Sequence, residues 1–285
     1  MALHLLQCPC LHCESNLVKA KDAARDRGAD SQRKPLIFGV SGHRDLRSAD
    51  LPQLRAELAH IFASFRAAYP NTPFRLLTPL AEGADRLAAE VALASGVDLF
   101  VPLPMEQGDY ERDFATPESL AEFRALLAMA RSRWEIPVSR NARMEERTSR
   151  YAEVGELIAR ESNVLILLWD GEENKKVGGT AWVRKRREHW LRESAHRNPE
   201  RNAFAYGPTI QVVTPRVSGR SPRPRLGTIG ELPPSAVEFA TALSKNPNPR
   251  RQEDEPGHSL PYQLIFWNND QFNAGLGDAS SRKES

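Results

Sequence analysis

The sequence predicts an α/β fold, a doubly wound and mostly parallel sheet with helices on both faces. Short apolar runs of strand length alternate with longer stretches of helical period from residue 36 to residue 214. One run, Val164-Leu-Ile-Leu-Leu-Trp169, is apolar at every position, which means burial on both faces, as at the centre of a parallel sheet. Three of the runs are followed by glycine turns, and ligands of such sheets bind at the carboxyl ends of strands.

The first strand is Leu36–Ser41, ending in the turn Gly39-Val-Ser41-Gly42. Asp50-Leu-Pro-Gln53 offers an N-cap, an early proline and a capping-box Gln. Leu51, Leu54, Leu58, Ile61, Phe62 and Phe65 then mark one buried helix face to about Ala68. A second strand is expected over Phe74–Leu80, and Ala81-Glu82-Gly83-Ala84-Asp85 turns into another helix that Gly96 stops. Val97–Leu103 is the third strand. Pro104 to Pro117 reads as a loop with a short turn around Tyr110–Phe114.

Leu120, Phe123, Leu127 and Ala130 fit the next helix, and Trp134–Val138 a short strand. Glu146 to Glu161 is helical, with Tyr151, Val154 and Ile158 on one face; Tyr151 either fills the core or stacks on a base. After Val164–Trp169 come Asp170-Gly171 and a polar loop to Gly178-Gly179-Thr180, which leads a basic helix to about Glu193. Thr209–Thr214 is the last expected strand. The expected layout is a flexible leader over 1–33, one domain over 34–215, and a Pro/Arg-rich linker or tail over 216–285. Within that tail, Leu264-Ile-Phe-Trp267 either packs on the domain or belongs to a partner surface.

Composition narrows the function classes. Among 285 residues, 40% are hydrophobic and 27% charged, ordinary for a soluble globular protein. A net charge of +2 carries no argument for a nucleic-acid or membrane surface. No apolar run approaches the roughly 20 residues of a membrane helix, and Leu5-Leu6 lacks the preceding basic stretch of a signal peptide. The expected compartment is the cytoplasm. The three cysteines, Cys8, Cys10 and Cys13, are thiolate donors that suit zinc, but they have no second ligand group later in the chain. They are weak candidates, and no metal is expected.

In a parallel sheet the three glycine turns share one edge and converge on one crevice. Gly42, Gly83 and Gly179 would let amides and helix N-termini face a phosphate, with Ser41 and Thr180 adding hydroxyl donors. Glu82 and Asp170 could accept from ribose hydroxyls. Arg44 either clamps a phosphate or caps the turn. His43 is a candidate acid or base near neutral pH.

The segments GVSGHRDL, LLTPLAEGADRLAAEVAL, VDLFVPLPM and YAEVGELIARESNVLILLWDGEENKKVGGTAWV together resemble the SLOG superfamily. It groups Smf-type DNA-processing proteins, LOG-type "lysine decarboxylase-like" phosphoribohydrolases, and ligand-sensing modules of bacterial defence proteins and TRPM channels. The resemblance covers about residues 35–214 and implies a Rossmann-like sheet that binds nucleotides or nucleotide-derived signals. By motif, Gly39, Ser41 and Gly42 match its first turn, Glu82, Gly83, Ala84 and Asp85 its second, and Gly178, Gly179 and Thr180 its third; Asp170 and Gly171 close the fifth strand.

The phosphoribohydrolases carry Pro-Gly-Gly-x-Gly-Thr-x-x-Glu, and here Val183 stands where that Glu belongs. Glu82 or Asp85 would have to substitute, and Glu82 and His43 are the candidate catalytic residues. The expectation is therefore a cytoplasmic, bacterial-type sensor that binds a nucleotide-derived ligand, requires no other cofactor, and signals to an effector protein or a second copy. A nucleotide N-glycosidic hydrolase is the alternative. Single-stranded DNA binding ranks third, because Arg184-Lys-Arg-Arg187, with Trp182 and Trp190 nearby, spreads around a helix and does not form one face.

Overall fold

The computed structural model describes residues 32–136, 146–173, 176–197, 207–218, 227–230, 233 and 262–281. Strand β1 (Leu36–Gly42) is central. Helix α1 (Leu51–Ala68) carries the chain to β2 (Phe74–Leu77), and α2 (Ala84–Ala94) to β3 (Asp98–Leu103). A short helix α3 (Gln107–Glu111) and α4 (Pro117–Ala128) precede the edge strand β4 (Ser132–Glu135). The chain then crosses back over β1 through α5 (Glu146–Glu161) to β5 (Val164–Trp169). Helix α6 (Thr180–Arg197), β6 (Thr209–Val213), β7 (Gly227–Ile229) and α7 (Tyr262–Ser281) follow.

The strand order is β4-β3-β2-β1-β5-β6-β7, parallel throughout except for β7. This is a Rossmann-like, doubly wound sheet, and the order reverses between β1 and β5. Alternation within β5 explains its unbroken apolarity. Val164, Ile166 and Leu168 join the core under α1, α2 and α4, whereas Leu165, Leu167 and Trp169 join the core under α5 and α6. On the first side Phe62, Phe65 and Phe74 each meet Phe38 at 5.2 Å between ring centroids.

Several expected boundaries move. Strand β2 stops at Leu77 because Pro79 brings no N–H and Leu80 turns into the left-handed region at φ 59°. The expected loop after β3 contains helix α3. The short strand lies at Ser132–Glu135, starting two residues and ending three residues before the expected Trp134–Val138, and Val138 is outside the described residues. Asp50 heads α1 but makes no capping hydrogen bond, because it already ends a 3-10 turn over Ser48–Asp50.

The described parts of the expected tail belong to the domain. Strand β7 pairs with β6, and Ile265 and Phe266 of α7 enter the core, with Phe266 edge-on to Tyr69 at 5.7 Å. Asp270 accepts from Asn71 N–H and Thr72 Oγ1, each at 2.8 Å, and Asn273 accepts from Lys34 N–H at 2.9 Å. Among the described residues no helix is long and apolar enough to cross a membrane.

Candidate functional site

A cleft of about 610 Å³ opens at the carboxyl ends of β1 and β5, where the strand order reverses. That volume falls in the range of cofactor and nucleotide pockets. One wall is Ser41–Asp45 after β1, and a second is Pro79, Ala81 and Asp85 after β2. A third is Lys176–Thr180 leading into α6. Tyr110 and Asp113, the α5 residues Arg147, Thr148, Tyr151 and Gly155, and Arg216 complete it.

The three glycine turns thus meet, but their glycines work differently. Gly42 is a close-approach residue: a Cβ there would meet Leu168 O at 2.8 Å. The His43 N–H is spent on Leu168 O at 3.1 Å and the Ala84 N–H on His43 O at 3.0 Å, so these two amides offer nothing to a phosphate. The open donors lie instead at the start of α6, where the first turn of an 18-residue helix has N–H groups without intrahelical acceptors. Gly178, at φ 76°, packs there against the Tyr151 and Ala152 backbone, and the Thr180 residue is buried beside it.

Gly39 lies beneath the cleft, where a Cβ would strike Ile158 Cγ2 and Ser162 at 2.8 Å; it admits α5 to the sheet and lines no site. Gly83 and Ala84 form the back of the β1 wall and do not line the cleft. Gly171, at φ 88°, turns toward Gln211, away from the cleft. Cys8, Cys10 and Cys13 fall outside the described residues.

The carboxylates are redistributed as well. Glu82 accepts from Ser119 Oγ, and Ser119 in turn takes the buried Arg86 guanidinium at 2.9 Å. Glu82 therefore belongs to a brace between α2 and α4. Asp170 accepts from Arg216 Nε at 2.6 Å and from Glu172 N–H at 3.0 Å. Burial pulls its pKa upward, but these donors and His43 hold it below the ordinary carboxylate value. His43 Nε2 lies 3.1 Å from the Asp170 amide nitrogen and 3.2 Å from its Oδ1, so the ring meets both the backbone and the carboxylate of that residue. Burial, the largest influence, lowers the His43 pKa against the pull of Asp170, leaving a neutral ring that ties β1 to the end of β5.

Asp85 is the carboxyl that the β2 turn delivers into the cleft, at 6% exposure. Burial pushes it up to about 7, although Arg44, the Thr78 hydroxyl and the Ala81 N–H hold it down. Folding therefore binds a proton across the interval between the unfolded value and about 7. Stability contributed by this group falls as pH rises through that interval and levels off above it. Relative to wild type, Asp85→Asn should gain about 2–3 kcal/mol of unfolding free energy between pH 5 and pH 8. Urea unfolding at the two pH values measures it; an equal difference at both would place the carboxyl in a solvated setting.

Arg44 lies over the Tyr151 ring at 5.4 Å and makes no salt bridge among the described residues. Arg147 donates to Asp109 O at 3.0 Å and pairs with Asp113. Tyr110, Asp113 and Arg147 are site residues that sequence reading missed, and Arg216, which it read as a phosphate contact or part of a solvated linker, lines the cleft. Tyr110 sits in a cluster with Phe114 and Phe123 that reads as plain core, and Arg216 arrives only because Leu46 bridges to it.

The basic run of α6 is used internally. Arg186 pairs with Glu156, Arg184 and Lys185 with Glu173, and Arg187 is buried against four carbonyls. Val183, where the resemblance would want a catalytic Glu, is buried against Gly155 in the apolar part of the wall.

A Rossmann-like sheet with a cleft at its switch point has the architecture of a binding module. No protein-family model matches the chain, and no curated protein does. Among solved structures it resembles DNA processing protein A from Streptococcus pneumoniae at 14% identity and a TM-score of 0.37, over 55% of this chain and 48% of that one. DNA processing protein A from Helicobacter pylori, described for its single-stranded DNA binding mode, matches at 15% and 0.35, over 55% and 62%. The molybdenum cofactor carrier protein from Chlamydomonas reinhardtii matches at 16% and 0.30, over 56% and 72%. The match spans less than two thirds of either DNA processing protein.

Proposed function

We propose that this chain binds a nucleotide-derived small molecule in the cleft between the ends of β1 and β5 and reports its occupancy to an effector protein or a second copy. The observation that carries this reading is the convergence of three strand-end turns on one cavity, with the α6 N-terminus as its anion end. Binding without turnover is favoured by two side chains. Val183 supplies no carboxylate, and Glu82, the other candidate for N-glycosidic hydrolysis, is committed to Ser119. Single-stranded DNA binding, described for the Helicobacter pylori protein, would need cations other than Arg184, Lys185, Arg186 and Arg187, which are already paired or buried.

The test is thermal melting with AMP, ADP, ADP-ribose and NAD, followed alongside for release of the base. A bound nucleotide at a hundredfold excess over its Kd stabilises by about 2.7 kcal/mol, a rise of several degrees in Tm. Stabilisation without base release supports a sensor, and steady base release assigns hydrolysis. Absence of any shift, with a salt-sensitive mobility shift on single strands, would replace this reading by the nucleic-acid one.

A further inference from the structure

Tyr110 is fully buried, and its ring is held edge-on by Phe114 at 5.2 Å and Phe123 at 5.6 Å. Those contacts need only a ring; phenylalanine would satisfy them. Its hydroxyl nevertheless points to the cleft wall, buried and without a hydrogen-bond partner. The Tyr151 hydroxyl is in the same condition, with its ring centroid 6.3 Å from that of Tyr110. Two orphaned hydroxyls on one wall of a cavity are costly in a ligand-free fold, and each demands an explanation.

The explanation lies with a carboxylate that lines the same cleft. Of the acidic residues on the cleft, Asp45 receives Ser218 and Asp113 receives Arg147. Asp85 receives the Thr78 hydroxyl and the Ala81 N–H, with Arg44 and Arg86 as nearby charges, and keeps acceptor capacity for a ligand. It also follows β2, the place in a doubly wound sheet where an acidic side chain meets a ribose hydroxyl.

We propose that Asp85, Tyr110 and Tyr151 form a sugar subsite that selects a ligand with an intact ribose 2′,3′-diol, its phosphate held at the Gly178–Thr180 turn. This rests on the nucleotide reading above and adds the ribose requirement. A vicinal diol presents two O–H donors at a spacing that one carboxylate can accept, while each hydroxyl oxygen accepts from a phenol. A ligand without the diol leaves both phenols unpaired and Asp85 with its protein donors alone, so discrimination is steep. Glu82 and Asp170, the carboxylates that sequence reading assigned to the ribose, have no part in it.

Calorimetric titration with AMP and the four ribonucleoside triphosphates, each against its 2′,3′-dideoxy counterpart, tests the subsite. The ribonucleotide that binds should lose at least about tenfold in affinity without its diol. Tyr110→Phe should weaken that ribonucleotide by about tenfold and leave the dideoxy form unchanged. The ligand-free variant should melt no lower than wild type, because an unpartnered hydroxyl contributes nothing to the fold. Equal binding of ribo and dideoxy forms would overturn the subsite while leaving nucleotide binding intact. Binding of none of them would overturn both, and a lowered Tm of Tyr110→Phe would assign that hydroxyl to structure and overturn its role.

Discussion

Gly83→Ala should cost at least about 4 kcal/mol of stability, enough to leave little folded protein at 37 °C. Gly83 sits at φ 77°, which disfavours a side chain, and its missing Cβ points at backbone that cannot retreat. The added carbon would lie 2.6 Å from His43 O and closer still to Arg44 O. His43 O already accepts from the Ala84 N–H, and His43 N donates to Leu168 O. Relieving the clash would therefore move the β1 wall, the start of α2 and the end of β5 together. Gly96→Ala is the control. Gly96 has φ 67° but open space around its Cβ position, so it should lose only about 1 kcal/mol. Chemical unfolding of both variants measures the contrast, and similar losses would show that the close approach at Gly83 relaxes freely.

Arg187→Met should lose about 3–5 kcal/mol although it exchanges a charged side chain for an apolar one of similar length. The guanidinium is fully buried and donates to Ala159 O at 3.1 Å, Ser162 O at 2.6 Å, Asn163 O at 2.8 Å and Gly207 O at 3.3 Å. These carbonyls gather at the carboxyl end of α5 and on the segment entering β6, so one cation closes a helix end and joins it to the approach to β6. Methionine fills the volume but leaves carbonyls dry. A urea midpoint within experimental error of wild type would mean that water replaces the guanidinium.

How much of this was legible in the sequence depended on the range of the interaction. The apolar run at Val164–Trp169, the helical period of Leu54 to Phe65 and the glycine turns are local patterns, and they locate the central strands and the edge that bears the cleft. Glu82 and Asp85 show the limit. They are three residues apart in one turn, and either would serve a ribose on paper. Pro79 and the left-handed Leu80 rotate that turn so that Asp85 enters the cleft and Glu82 faces Ser119 of α4. Arg187 shows it again, since within a run of four basic residues nothing local distinguishes the one that is buried.

The sequence by itself determined the doubly wound sheet, its central strands and the side on which ligands would approach, because strand burial and helix amphipathicity are written in residue spacing. Only the tertiary structure decided which polar groups remain for a ligand. It committed Glu82, Asp170 and the α6 cations to partners elsewhere in the chain, drew α7 and Arg216 onto the domain, and left Asp85 with two orphaned tyrosine hydroxyls in the cleft. Partnering is set by contacts between residues far apart in the chain, and spacing along the sequence does not record it.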